Sequence, residues 1–319
     1  MNETPVYDVI VLGSGPAGFT AAIYSVRSGR KTLQIAGLRW GGQLMLTTLV
    51  ENFPGFAEGI QGPDLMVAMR NQTERLGVEV LNIDFTACDF TKKPFEITAD
   101  GKIFKAKSVI VSTGADSIWL NVPGEMQLRG KGVSTCATCD AFFFREKHVI
   151  VVGGGDSAME EALFLTQMTK SVTIVHRRDS FRASKAMQER VLKTPAIKII
   201  WNSTISKYNG VDKLESVTIK DLKTGKEVEF KTDGVFVAIG HKPNSDLFKG
   251  LEIDEKGYIK RHEVSDEFGI LKFRSATNIA GVFTGGDVHD YRYRQAITAA
   301  AFGCMAALDA DKWLMENDK

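Results

Sequence analysis

The sequence predicts an α/β protein of two Rossmann-like, three-layer dinucleotide-binding domains, and three stretches carry that prediction. Two read strand, glycine-rich turn, helix: "YDVIVLGSGPAGFTAAIYSVRSG" near the N-terminus and "KHVIVVGGGDSAMEEALFLTQM" in mid-chain. The third, "IAGVFTGGDVHDYRYRQAITAAAFG" near the C-terminus, repeats the strand and the glycines and then opens a helix of small residues. At 319 residues the chain exceeds the usual single-domain size, so two domains of ~100 to 200 residues are expected.

In the first stretch an apolar strand, Val9 to Leu12, runs into Gly13-x-Gly15-x-x-Gly18, and Phe19, Ile23 and Val26 follow at helical spacing. The glycines permit a tight turn and a close backbone approach, so a pyrophosphate can rest on the helix N-terminus. A bare glycine motif is weak evidence, but here strand, motif and helix come in the required order. An acidic residue for a ribose is expected ~20 residues further on. The next strand, "KTLQIAG", ends instead in Gln34, Ile35 and Ala36, so an adenosine ribose must be held some other way.

"STCATCDAFFFR", residues 134–145, sets Cys136 and Cys139 two residues apart with Asp140 directly behind. Such a pair can be a zinc knuckle, a static disulfide or a dithiol that cycles in turnover. Structural zinc needs four ligands, usually from a second CxxC or a close His pair. There is no second CxxC, and His148, His176, His241, His262 and His289 are all well separated, so no metal is expected. The start "MNETPVYDVI" lacks a basic, apolar leader, and no segment reaches the ~20 apolar residues of a membrane span, so the expected setting is cytoplasmic. Thiols are kept reduced there, which favours a redox pair over a staple. Cys88 and Cys304 stand alone, and Cys304, in "AAAFGCMAAL", reads as a buried small hydrophobe. By spacing alone Phe142 and Phe143 read as core residues.

The second unit has Gly153-x-Gly155-x-x-Ala158, with Ala158, Ala162 and Leu165 on one helix face. Its next strand, "SVTIV", runs straight into His176, Arg177 and Arg178, with Arg182 close behind. Planar guanidinium groups match a phosphate, at about 1.5 to 3 kcal/mol per charge-assisted bond, and an NAD site would carry a carboxylate here. The pattern points to the 2′-phosphate of NADPH rather than to a solvated basic face. A hydride donor and a dithiol are commonly joined through a flavin, so FAD is expected in the first unit. In the third stretch Asp287 can bond a ribityl hydroxyl, or merely cap a turn. A helix N-terminus at Gln295 and Ala296 would stabilise negative charge on the flavin ring. Lys plus Arg total 40 against 39 Asp plus Glu, a net charge of +1, which argues against nucleic acid or an anionic membrane as partner.

Taken in order, "GSGPAG", "GGQL", "ENFPG", "STGA", "CATCD", "GGGDSAMEEA", "HRRDSFRASK", "GHKPN" and "GGDV...YRQAITAAA" cover nearly the whole chain, which on them resembles the low-molecular-weight thioredoxin reductases. The resemblance implies a homodimer with FAD, NADPH and thioredoxin as substrate. It places a flavin domain at residues 1–117 and 244–319, with the NADPH domain, residues 118–243, inserted between them and carrying the CxxC. By the same resemblance Gly13, Ser14, Gly15, Pro16 and Ala17 line the flavin pyrophosphate turn. Gly41, Gly42, Gln43, Leu44 and Asn52 lie near the flavin, as do Thr113 and Gly114, and Gly286, Asp287, Arg294, Gln295 and Ala296 complete the set. Gly153, Gly155, Asp156, Ser157 and Ala158 follow the NADPH pyrophosphate, with His176, Arg177, Arg178 and Arg182 at its 2′-phosphate.

The implied chemistry has reduced flavin attacking Cys139, Cys136 leaving as a thiolate, and Asp140 serving as acid/base. Cys136 then attacks the thioredoxin disulfide and Cys139 resolves the mixed disulfide. The family also implies a pocket at Phe142 and Phe143 for a thioredoxin aromatic, and rotation of the NADPH domain about linkers near residues 116–120 and 240–245. Departures are Ala141 for a glycine after CATCD, Lys131 for an arginine that contacts thioredoxin, and Ala301 for a glycine near the flavin helix. The alternatives are a flavoprotein reductase of a peroxiredoxin or other thioredoxin-like protein, a ferredoxin-NADP reductase, which would lack the CxxC, and an NADP-sensing module, which would need neither flavin nor dithiol. The peroxiredoxin type carries an extra N-terminal thioredoxin-like segment, whereas this chain starts at its first Rossmann strand.

Overall fold

A computed structural model describes residues 5–317. The chain forms two compact units, one from residues 1–116 and 242–319, the other from residues 117–241 between them. The crossing segments Ala115–Ser117 and His241–Pro243 pair with each other as a two-stranded ladder. No helix among the described residues is long and apolar enough to cross a membrane.

The discontinuous unit is built on a parallel sheet in the order Glu79–Leu81, Thr32–Ile35, Val6–Leu12, Lys102–Val111, with Val282–Thr284 added beside residues 109–111 of the long strand. Side chains alternate across a strand, and the first strand divides accordingly. Val9 and Val11 pack with Ala21, Ala22, Ala306 and Ala310 of the helices Pro16–Arg27 and Ala296–Asn317. Ile10 and Leu12 face the other way, onto Phe95 and Ile97 of an antiparallel hairpin and onto Phe248 and Ile259. The small residues of the last helix let it lie close to the first; a methyl on Gly303 would drive into the Ala17 carbonyl.

The inserted unit repeats this plan. Its parallel sheet runs Val133–Ser134, Gly234–Val237, His148–Val152, Ser171–Val175, Ile197–Ile200. Val149 and Val151 pack on Ala158, Ala162 and Leu165 of the helix Asp156–Leu165. Ile150 and Val152 pack on Ile205, Tyr208 and Val217 of a three-stranded antiparallel layer, residues 203–231. Both units are therefore three-layered, and both parallel sheets end in a glycine turn at a helix N-terminus.

Candidate functional site

In the discontinuous unit the first strand ends at Gly13, whose φ of 114° and contact with the Ser112 carbonyl exclude any side chain. The Ser14 hydroxyl donates to the Ala36 carbonyl at 2.6 Å and accepts the Gly41 N–H at 3.0 Å, which ties the turn to the segment of Gly41, Gly42, Gln43 and Leu44. Gln34, where a ribose carboxylate was sought, is fully buried and donates from Nε2 to the Gly13 carbonyl at 2.8 Å. It braces the turn from beneath, a role for which the sequence offered only an unexpected polar residue in an apolar strand. Thr113 Oγ1 donates to the Asn244 carbonyl at 2.7 Å, and the Asn244 N–H donates to the Gly114 carbonyl at 3.0 Å, closing the unit where its two chain pieces meet.

The C-terminal signature joins the same place. Gly286 lies against Ala17, and Asn52 Nδ2 donates to Gln295 Oε1 at 3.3 Å. The helix begins at Ala296, two residues after Arg294. Asp287 is half-buried, its Oδ1 is shielded from solvent and has no hydrogen-bond partner among the described residues, and desolvation together with the neighbouring Asp290 pushes its carboxyl up to about 7. An orphaned buried acceptor of this kind calls for a donor from outside the chain. His289, two residues on, is kept neutral by burial, its pKa lowered to about 4, and packs edge-on to Phe302.

Gly15 and Gly155, the middle glycines of the two motifs, share a telling property. Their φ values of −72° and −97° suit any residue, and an added Cβ would meet no protein atom within 4 Å at either. Neither strain nor packing accounts for glycine there. A ligand lying against the backbone does, and the two cradles fit two dinucleotides.

In the inserted unit the turn Gly153–Ala158 and the basic segment come together. The Gly154 carbonyl accepts the N–H groups of Arg182 at 2.7 Å and Ala183 at 3.1 Å, and Asp156 Oδ1 accepts the Ser184 N–H at 2.8 Å. Arg177, Arg178 and Arg182 are exposed. His176 differs from them: it is buried under Gly154 against Phe181 and Trp201, with Nε2 on the Ser180 carbonyl at 3.0 Å. Burial lowers its pKa, so it is a neutral prop for the turn rather than a charged arm.

Cys136 and Cys139 form a disulfide, with Cα atoms 5.3 Å apart, across the short helix Ala137–Asp140. The Ser134 hydroxyl accepts the Cys136 N–H at 3.0 Å, and the Thr138 hydroxyl lies 3.4 Å from Cys136 Sγ, which in the disulfide only accepts. Asp140 is driven up from the ordinary carboxylate range by burial, partly offset by a bond from Ser134. Ala141, in place of the expected glycine, puts its methyl in the core, and Phe144 packs on Phe236 at 5.3 Å. Phe142 and Phe143 depart from the core reading: they are 52% and 38% exposed, because the turn of Ala141–Phe144 aims only its first and last side chains at the sheet. Cys304 is likewise only half-buried, beside the Tyr24 hydroxyl, while burial pushes the Cys88 thiol up to about 12. Lys131 and Ala301 are exposed.

Residues 7–303 match the description of the pyridine nucleotide-disulphide oxidoreductases. The chain belongs to that family. The curated thioredoxin reductase of Streptomyces clavuligerus is 51% identical over 312 residues, covering 97% of this chain and 94% of that protein. Among solved structures the Giardia duodenalis thioredoxin reductase is 41% identical with a TM-score of 0.91, over 97% of this chain and 99% of that one. The Lactococcus lactis thioredoxin reductase in its FR conformation is also 41% identical over 97% and 99%, with a TM-score of 0.61.

Proposed function

We propose that the chain is an NADPH-dependent thioredoxin-disulfide reductase with FAD as its second cofactor. The observation that carries this reading is a disulfide next in sequence to a half-buried carboxyl, Cys136–Cys139 with Asp140, in a chain with two dinucleotide cradles whose middle glycines face no protein atom. When bound, FAD and NADPH supply the two-electron chemistry, a hydride from the nicotinamide passing through the flavin to the disulfide.

The discontinuous unit holds FAD. Residues Gly13 to Ala17 would take its pyrophosphate, Asp287 would accept a hydroxyl from its ribityl chain, and Arg294, Gln295 and Ala296 at the last helix, with Gly41–Leu44, Asn52, Thr113 and Gly114, would complete its site. The inserted unit holds NADPH along Gly153–Ala158. Arg177, Arg178 and Arg182 carry the charge for its 2′-phosphate, and His176 fixes the turn between them.

Opening the Cys136–Cys139 bond consumes two electrons and leaves sulfur that must be protonated or stabilised. The Thr138 hydroxyl is placed to bond a Cys136 thiolate, and Asp140, whose hold on its proton burial strengthens, is the acid of the step. Cys136 then attacks the thioredoxin disulfide, and Cys139 attacks Cys136 in the mixed disulfide, releasing dithiol thioredoxin and restoring the bond. The exposed Phe142 and Phe143 offer an apolar landing beside the disulfide. A cytoplasmic homodimer matches the likeness to the low-molecular-weight reductases.

The test is NADPH oxidation with and without added thioredoxin. Thioredoxin should accelerate it, and Cys136→Ser or Cys139→Ser should abolish the acceleration while NADPH still bleaches the bound flavin. A variant that reduces thioredoxin at the wild-type rate would make the disulfide a structural staple. Replacing Arg177 and Arg178 together with uncharged residues should raise the KM for NADPH about a hundredfold while barely moving that for NADH. Equal changes for both would remove the phosphate role.

A further inference from the structure

The proposed flavin contacts leave the adenosine ribose without an acceptor. In dinucleotide-binding folds an Asp or Glu past the second strand takes the ribose 2′-hydroxyl. Here Gln34 is turned onto the Gly13 carbonyl, and the segment that follows, Ala36 to Leu44, contains no carboxylate. Its one charged residue is Arg39, which can only donate.

The sheet supplies an acid from the neighbouring strand. Thr32–Ile35 and Glu79–Leu81 run parallel, and their ends lie on the edge that carries the glycine turn: the Gly13 N–H donates to the Ile35 carbonyl at 3.0 Å, and the Ala36 N–H to the Leu81 carbonyl at 2.8 Å. Three residues past Leu81 comes Asp84. Its Oδ1 accepts the Leu38 N–H at 2.9 Å, and the same oxygen lies 3.3 Å from where a Cβ on Gly37 would stand. The carboxylate is therefore fixed beside residues 37 and 38, the place past the second strand where an acid is missing. Gly37, with a φ of 83°, sets no side chain over it. The proposed pyrophosphate turn is tied to the same segment, one residue earlier, by the Ser14 hydroxyl on the Ala36 carbonyl. Asn82, the other polar side chain between Leu81 and Asp84, is engaged, its Oδ1 accepting from Arg70 at 3.1 Å. Asp84 is exposed, and bracing Leu38 uses one of its oxygens; Oδ2 meets no donor among the described residues.

We propose that Asp84 is the ribose-binding carboxylate of the flavin site, Oδ1 holding the Leu38 N–H and Oδ2 accepting the 2′-hydroxyl of the adenosine ribose. The inference rests on the reading of this unit as the FAD unit. Its test is titration of the apoprotein with FAD and with an FAD that lacks this 2′-hydroxyl. The wild type should bind the deoxy cofactor about tenfold more weakly, and Asp84→Ala should bind the two alike. Loss of the Leu38 brace in the variant bears on both flavins equally and cancels in the comparison. A wild type that does not discriminate would overturn the assignment. So would Asp84→Ala with the tenfold gap intact, which marks the aspartate as a brace alone. Wild-type apoprotein that takes up neither flavin would overturn the flavin reading itself, so the two failures are told apart.

Discussion

Asp140 shows how one side chain is set by its surroundings. Burial raises its pKa, and the bond from Ser134 only partly reverses this, so the folded protein holds the proton more tightly than the unfolded chain. The stability it contributes is therefore present at low pH and is lost as pH rises through the raised folded value. Asp140→Asn removes that loss. The variant should match the wild type in thermal unfolding at acid pH and exceed it at alkaline pH, and a gap that opens on the acid side instead would contradict the burial argument. Activity should move the other way, with thioredoxin reduction falling about a hundredfold or more and losing the alkaline decline expected of the wild type. A neutral carboxamide keeps the shape of Asp140 but has no proton to give, so wild-type turnover in Asp140→Asn would dismiss it as the acid.

The two strand, glycine turn, helix elements are near repeats, and each can be damaged alone. A methyl at Gly15 or Gly155 meets no protein atom within 4 Å, and neither φ is strained, so Ala should leave the stability of the apoprotein within ~1 kcal/mol. The methyl would stand where a pyrophosphate is proposed to lie. Gly155→Ala should raise the KM for NADPH about tenfold with full FAD content, and Gly15→Ala should lower FAD content while NADPH affinity, measured by equilibrium binding, stays as it was. Crossed effects would exchange the two assignments. These elements were legible in the sequence because strand, turn and helix are neighbours along the chain. What was not legible depended on distant partners. Gln34 looked like a missing carboxylate until Gly13 was found above it, and His176 joined the arginines until Phe181 and Trp201 were found around it. Phe142 and Phe143 looked like core beside Phe144, and only the tight turn separates them.

At the scale of the whole molecule, the Cys136–Cys139 pair and the proposed NADPH cradle belong to one unit and the proposed flavin cradle to the other. In the proposed cycle the nicotinamide and the disulfide must each reach one flavin, and the dithiol must then meet a whole protein, so one fixed arrangement of two bodies is not expected to serve all three encounters. The chain crosses between its units only twice, at the paired segments Ala115–Ser117 and His241–Pro243, and Gly240, with a φ of 121°, stands next to the second. A few element-terminal residues of this type absorb the dihedral changes of a hinge. Rotation of the inserted unit as a body is therefore expected in every turnover. A short bifunctional cross-link between the units should stop the full cycle in whichever arrangement it traps, yet leave FAD bound and one half-reaction, flavin reduction by NADPH or flavin oxidation by the disulfide, at its normal rate. Cleaving the cross-link should restore turnover. A cross-linked enzyme that carries electrons from NADPH to thioredoxin at the unmodified rate would show that the two units need not move.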